Sequence, residues 1–122
     1  MHLLLIGVGG FIGPVLRYLV GTQFSGVLVP GGTFVVNIVG CFCMGLATAF
    51  GDTRGWPSRE THLLVTTGLL GGFTTFSAFG QEAITLLRVD PIKGSFSAVA
   101  HVVPGIAAVA VGRAIYGLGL RP

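Results

Sequence analysis

Charge is scarce in this sequence. Lysine, arginine, aspartate and glutamate make up 9% of the 122 residues, while 52% are hydrophobic. A soluble domain of this size needs a charged exterior, and so few charges cannot cover one. The chain is therefore read as a membrane protein with a single domain spanning residues 1–122. The formal charge of +3 is the excess of seven basic residues, scattered among loops, over four acidic ones. That distribution makes no nucleic-acid patch, so no nucleic-acid partner is expected.

Cysteine is nearly absent as well. Cys41 and Cys43 stand two apart in an apolar run, so on a helix they point to different faces. That spacing argues against a disulfide between them and against a metal site built from them alone, and leaves packing as their role. Catalytic signatures are missing: there is no G-x-S-x-G, no HExxH, no paired-cysteine motif and no phosphate loop. His2, His62 and His101 fall in separate segments. No enzyme is expected. The N-terminal apolar stretch has no basic leader, which argues against a removable signal peptide.

What is present is apolar and divides into four spans, residues 3–23, 31–51, 60–88 and 94–118. The first carries Gly9-x-x-x-Gly13, a small-residue face on which another helix can rest closely. Arg17 lies one turn beyond on the same face; it either snorkels to the interface or pairs within the protein. The second span holds no charge and has Thr33, Asn37, Gly40, Cys41 and Met44 along one stripe. A side-chain amide in hydrocarbon must find partners, so Asn37 either ties helices together or donates to a passing anion. A polar loop with Trp56 at an interfacial position leads into the third span, where Ser58 or Thr61 can cap the helix.

The third span is the informative one. Residues 61–81 are uncharged, yet Gly68-Leu-Leu-Gly71-Gly72-Phe73-Thr74-Thr75-Phe76-Ser77-Ala78-Phe79 packs glycines, hydroxyls and phenylalanines into twelve positions. Adjacent glycines followed by paired threonines make a poor helix interior. The helix is expected to break across residues 71–76. Non-helical backbone at membrane depth survives where protein or a water-lined cavity satisfies it. A broken helix then presents carbonyls or amides to an ion; the alternative is a glycine- and threonine-rich surface that packs on a neighbour. Glu82 sits a turn beyond the phenylalanines, displaced toward one interface. Arg88, Asp90, Pro91 and Lys93 are read as a loop. The fourth span carries Pro104 and a stripe of His101, Gly105, Ala108 and Gly112, with His101 read as a hydrogen-bonded interior residue.

Four spans put both termini on one side, with Arg54, Arg59, Arg121 and Arg113. Arg88, Lys93 and Arg17 fall on the other. Four basic groups against three barely choose an orientation, so two inverted copies can meet across an axis in the membrane plane.

The run Gly68-x-x-Gly71-Gly72-Phe73-Thr74-Thr75-Phe76-Ser77-x-Phe79-x-x-Glu82 closely resembles the third-helix signature of the Fluc/CrcB fluoride channels. Gly9-Gly10-x-x-Gly13-x-x-x-Arg17-Tyr18 resembles that family's first helix, and Gly32-Thr33-x-x-x-Asn37-x-x-Gly40 its second. The resemblance implies an all-α protein of four transmembrane helices, the third broken near its middle, assembled as an antiparallel dual-topology dimer in the cell inner or plasma membrane. It implies a fluoride-selective channel giving passive export of fluoride. A central structural Na⁺ would be held by the main-chain carbonyls of Gly71 and Thr74. Asn37, Phe76, Phe79, Ser77 and Thr75 would line the fluoride pores, with Arg17 and Glu82 as structural or gating candidates. The partner would be a second inverted copy or a homologous subunit. Two departures stand out: Ala78 and Gly80 replace frequent hydroxyls, and the fourth helix offers Gly105 and Val109 where relatives commonly carry hydroxyls. The rival reading is a small proton-coupled antiporter-like dimer with Glu82 as its carrier carboxylate. A purely structural assembly protein is the third, and it gives no reason for Thr74-Thr75-Phe76-Ser77.

Overall fold

The computed structural model describes residues 1–24 and 31–119, and every element among them is helical. Four stretches are long and apolar enough to cross a membrane: His2–Gln23, Gly32–Arg54, Arg59–Val89 and Pro91–Gly119. The protein is an all-helical, multi-pass membrane protein. Arg121, which entered the sequence reading, lies outside the described residues.

Helix α1 (His2–Gln23) runs unbroken through Pro14, which removes the amide that would otherwise close on the carbonyl of Gly10. Helix α2 (Gly32–Arg54) continues three residues past the expected end at 51, with Arg54 in its last turn, where a cation suits the helix dipole. Gly55 then stops it with φ +72°, a left-handed angle that glycine adopts without strain. Ser58 caps the short helix α3 (Arg59–His62), its hydroxyl accepting from the Thr61 amide at 3.1 Å. Residues Leu63–Leu70 then wind in the wider π-helical geometry, an arrangement frequent at functional sites. Helix α4 (Gly71–Phe73) follows, and after Thr74 and Thr75 comes α5 (Phe76–Val89).

The last turn differs from the sequence expectation. Helix α6 (Pro91–Gly119) begins three residues before position 94, so 88–93 is not an open loop. Asp90 alone separates α5 from α6. Its Oδ1 accepts from the amides of Ile92 (3.1 Å) and Lys93 (3.0 Å), which is N-capping geometry, and proline is well suited to the first helical position.

Close backbone approach at glycines holds the bundle together. Helix α1 packs on the π-helical stretch and α4: a Cβ added at Gly9 would stand 2.5 Å from the Leu64 carbonyl, and one at Gly13 2.3 Å from that of Leu69. Helices α2 and α6 meet the same way, with Gly45 against the Val109 carbonyl (2.2 Å) and Gly112 against that of Phe42 (2.3 Å). Near one end of this pair Arg113 donates to the Asp52 carboxylate at 2.7 Å and to the Thr48 hydroxyl at 3.0 Å. Trp56 packs edge-on against Phe50 and lies 5.1 Å from the His62 ring. The outward surface is apolar, with Leu3, Phe11, Ile106 and Leu118 more than half exposed. That suits a lipid surround.

Candidate functional site

The site is built around two residues whose backbone leaves helical angles. Thr74 has φ −77°, ψ 156° and Thr75 φ −149°, ψ 116°, both extended. Extended backbone in an apolar setting needs partners for its amides and carbonyls, and here they come from three elements. The Thr74 amide and hydroxyl both donate to the Leu70 carbonyl, each at 3.1 Å. Arg17 of α1 donates from Nη1 to the Thr74 carbonyl at 3.2 Å. Asn37 of α2 takes both main-chain groups of Thr75: Oδ1 accepts from the amide at 2.8 Å, and Nδ2 donates to the carbonyl at 3.0 Å. The Thr75 hydroxyl then caps α5 by accepting from the Ala78 amide at 3.2 Å.

Both alternatives left open for Arg17 and Asn37 can now be compared with geometry. Arg17 pairs within the protein. Asn37 ties α2 to the extended residues, and one of its two Nδ2 protons is spoken for.

Two cavities flank the extended pair, and both touch Thr75. One, of about 450 Å³, is lined by Arg17, Thr33, Ser77 and Ala78 among others. The second, of about 340 Å³ and mostly apolar, is lined by Asn37, Thr74, Phe76, Phe79 and His101 among others. The structure thus gathers Asn37, Thr74, Thr75, Phe76 and Phe79 around one cavity, and puts Ser77 and Arg17 at the other. Gly71 and Glu82 line neither cavity. Glu82 is exposed and accepts a hydrogen bond from the Thr33 hydroxyl.

The two phenylalanines are not equivalent. Their rings meet edge-to-face, with centroids 5.4 Å apart. Phe79 is 8% exposed and Phe76 is 80% exposed. Phe79 also stacks on His101 at 4.5 Å, and Phe34 meets that imidazole edge-on at 5.4 Å. His101 is a cavity residue that the sequence reading left in the interior. Its hydrogen bond there is real, from Nδ1 to the Ser97 carbonyl at 2.9 Å. The signal that places it at the site was available: it is the sole polar side chain between Ser97 and Arg113.

Among the described residues no three His, Cys, Asp or Glu side chains gather to hold a metal. Beside the extended pair, two main-chain oxygens have the character a hard cation would need. In a continuous helix the Gly71 carbonyl would accept from the Thr75 amide, and the Thr74 carbonyl from that of Ala78. Those amides go instead to Asn37 and to the Thr75 hydroxyl. Hard carbonyl oxygens released in this way are the ligands a hard cation prefers. The Arg17 guanidinium occupies one lone pair of the Thr74 carbonyl, and its charge opposes any cation bound beside it.

Comparison with known proteins places this arrangement in context. The family described as CrcB-like protein, Camphor Resistance (CrcB), matches residues 4–113. The fluoride-specific ion channel FluC of Rhizobium leguminosarum bv. trifolii (strain WSM2304) is 46% identical over 116 residues, covering 92% of this chain and 93% of the relative. FluC 1 of Methanosarcina acetivorans is 46% identical over 114 residues, covering 91% and 87%. FluC 3 of Methanosarcina barkeri is 40% identical over 116 residues, covering 93% and 88%. With a match along nearly its whole length, the chain belongs to the CrcB family of membrane proteins, whose named relatives are ion channels and not enzymes.

Proposed function

We propose that this protein is a fluoride channel that lets the ion leave the cytoplasm passively, working as an antiparallel dual-topology dimer in the inner or plasma membrane. The observation that carries the reading is the Asn37 clamp on Thr75. It holds extended backbone open between two cavities, in a chain whose relatives are named fluoride-specific channels.

Fluoride holds its water tightly, so a path for it must supply substitute donors. Asn37 keeps one Nδ2 proton beyond the one given to Thr75. Phe76 and Phe79 offer the positive edges of their rings, and the Ser77 and Thr75 hydroxyls stand at the break. Serial, individually weak contacts let the ion leave as well as enter. Phe76 is 80% exposed in its own chain, which fits a path completed by a second, inverted copy or a homologous subunit.

A structural Na⁺ belongs to the same reading, held by the carbonyls of Gly71 and Thr74. Bound there it would make the neighbouring path attractive to anions. The chain's own part is to keep those two oxygens out of helical hydrogen bonds, through Asn37 and the Thr75 cap.

The rival, a proton-coupled antiporter using Glu82, finds less support. A carrier carboxylate must sit where it can alternate between sides, and Glu82 is exposed, lines neither cavity and is engaged by Thr33. The deciding experiment is fluoride efflux from liposomes containing the purified protein, with a valinomycin-set potential. Efflux driven by potential alone supports the channel. Efflux that needs an opposing proton gradient would replace it with the antiporter.

A further inference from the structure

His101 of α6 has no task in the channel as described so far, yet it sits where three helices meet. Its ring stacks on Phe79 of α5, with centroids 4.5 Å apart and planes 27° from parallel. Phe34 of α2 meets it edge-on, at 5.4 Å and 84°. The residue is buried, and Nδ1 donates to the Ser97 carbonyl, one turn back on the same helix, at 2.9 Å. Among the described residues Nε2 has no hydrogen-bonding partner. The single bond to Ser97 and the two neighbouring rings therefore fix the plane of the imidazole. An apolar side chain would fill this space without burying an unpaired nitrogen, so packing alone does not account for a histidine here.

That plane matters because of the ring lying on it. The χ2 torsion of phenylalanine is broad, so packing has to set the angle of the ring. The angle decides the sign of a contact with an anion, because the edge of a phenyl ring is positive and its face negative. Phe79 lines the cavity shared by Asn37 and Thr75, and His101 covers one of its faces. Phe79 in turn meets Phe76 edge-to-face, at 5.4 Å and 66°, and among the described residues it is the sole ring that Phe76 meets.

The start of α5 is thus held twice from outside the helix. Asn37 clamps the main chain of Thr75, and four residues on His101 holds the ring of Phe79. Phe34 and Asn37 stand three apart on α2, so both holds lean on one face of that helix.

We infer that His101 is a positioning residue for the pore. It sets the angle of Phe79, and through Phe79 that of Phe76, so that ring edges and not ring faces are offered to fluoride. The Ser97 carbonyl and Phe34 anchor it, and its part needs no contact with the ion. In this chain the fourth helix, with Gly105 and Val109 on its pore stretch, contributes by aiming rings of the third span instead of by hydroxyls. This inference rests on the channel reading.

The test is fluoride efflux from liposomes, normalised to the amount of folded full-length protein. His101→Leu removes the ring, and His101→Gln removes it while keeping an N–H for the Ser97 carbonyl. Each should lower efflux by about fivefold or more, a factor that one aromatic contact can supply. His101→Phe restores a ring and should bring efflux back to within about threefold of wild type, the shortfall reflecting the lost bond to Ser97. In a Phe79→Ile background His101→Leu should cost nothing further, because no ring is left to aim. A residue that merely supports the bundle would give the same further loss in both backgrounds, and that result overturns the inference. So does wild-type efflux from His101→Leu or His101→Gln, or a His101→Phe protein no better than His101→Leu. Wild-type protein that passes no fluoride would overturn the channel reading, and the inference with it.

Discussion

Asn37 and Thr75 are joined by two hydrogen bonds that run in opposite directions, amide to Oδ1 at 2.8 Å and Nδ2 to carbonyl at 3.0 Å. The side-chain amide thus acts toward Thr75 as a strand neighbour would, although the two residues lie 38 positions apart. Replacing Asn37 with Asp keeps the acceptor for the Thr75 amide and sets a carboxylate oxygen against the Thr75 carbonyl. The lost donor should cost about 1–3 kcal/mol of stability. Fluoride efflux from liposomes should fall by about tenfold or more, a factor that one lost interaction of ~1.4 kcal/mol can supply. Wild-type efflux from a well-folded Asn37→Asp protein would remove the clamp from the conduction path.

A second prediction separates two neighbouring glycines. A Cβ at Gly13 would stand 2.3 Å from the Leu69 carbonyl and 2.7 Å from the Phe73 amide, both backbone atoms, whereas Gly10 has nothing within 4 Å. Gly13→Ala should therefore push α1 off the third span at a cost of about 1–3 kcal/mol. Gly10→Ala should leave the subunit's own stability within about 0.5 kcal/mol of wild type. Thermal unfolding in detergent reads the difference. Equal midpoints for the two variants would mean that α1 packs elsewhere.

The turn between α5 and α6 gives a pH-dependent prediction. The Lys93 amide, with the Lys93 ammonium and the Ile92 amide, holds the Asp90 carboxyl below the usual carboxylate range. A depressed value means the cap is fully in place above the ordinary carboxylate range and is lost as the pH falls through the lowered one. Asp90→Ala should reduce thermal stability at neutral pH, and Asp90→Asn should restore part of it, because the amide oxygen still caps. The deficit of Asp90→Ala against wild type should shrink in strong acid. A deficit that stays constant with pH would detach it from the ionised carboxylate.

Which features could be read before the fold was known follows from whether they are local. The four spans are legible because charge is a composition property, and the stretch around Thr74 because glycine and threonine propensities act within a turn. The expected break covered residues 71–76, whereas extended angles are confined to Thr74 and Thr75. Gly71 keeps a helical φ of −63°, so its glycine is not there for a left-handed angle. The clamp from Asn37 was not legible, since the same amide could have tied any two helices. The π-helical winding of 63–70 gave no signal either, because Leu-Leu-Val-Thr-Thr-Gly-Leu-Leu reads as ordinary apolar helix. The early start of α6 had a local signature in Asp90-Pro91, a cap followed by a first-turn proline, that a loop assignment passed over.

The opposed burial of Phe76 and Phe79 leads to the last prediction. Sequence alone treats the pair as one feature. The structure divides them, because Phe79 is 8% exposed and stacked on His101 while Phe76 is 80% exposed. Phe79→Ile removes a packed ring from the core and should destabilise the subunit by about 1 kcal/mol. Phe76→Ile changes a side chain that its own subunit barely covers and should shift stability by less than about 0.5 kcal/mol. If ring edges serve the ion, both variants lose fluoride efflux, because isoleucine has bulk but no polarised edge. Efflux measured beside unfolding thus separates the roles: Phe79→Ile should lose both flux and stability, and Phe76→Ile flux alone. A Phe76→Ile protein that conducts like wild type would show that the exposed ring serves packing against its surroundings and not the path of the ion.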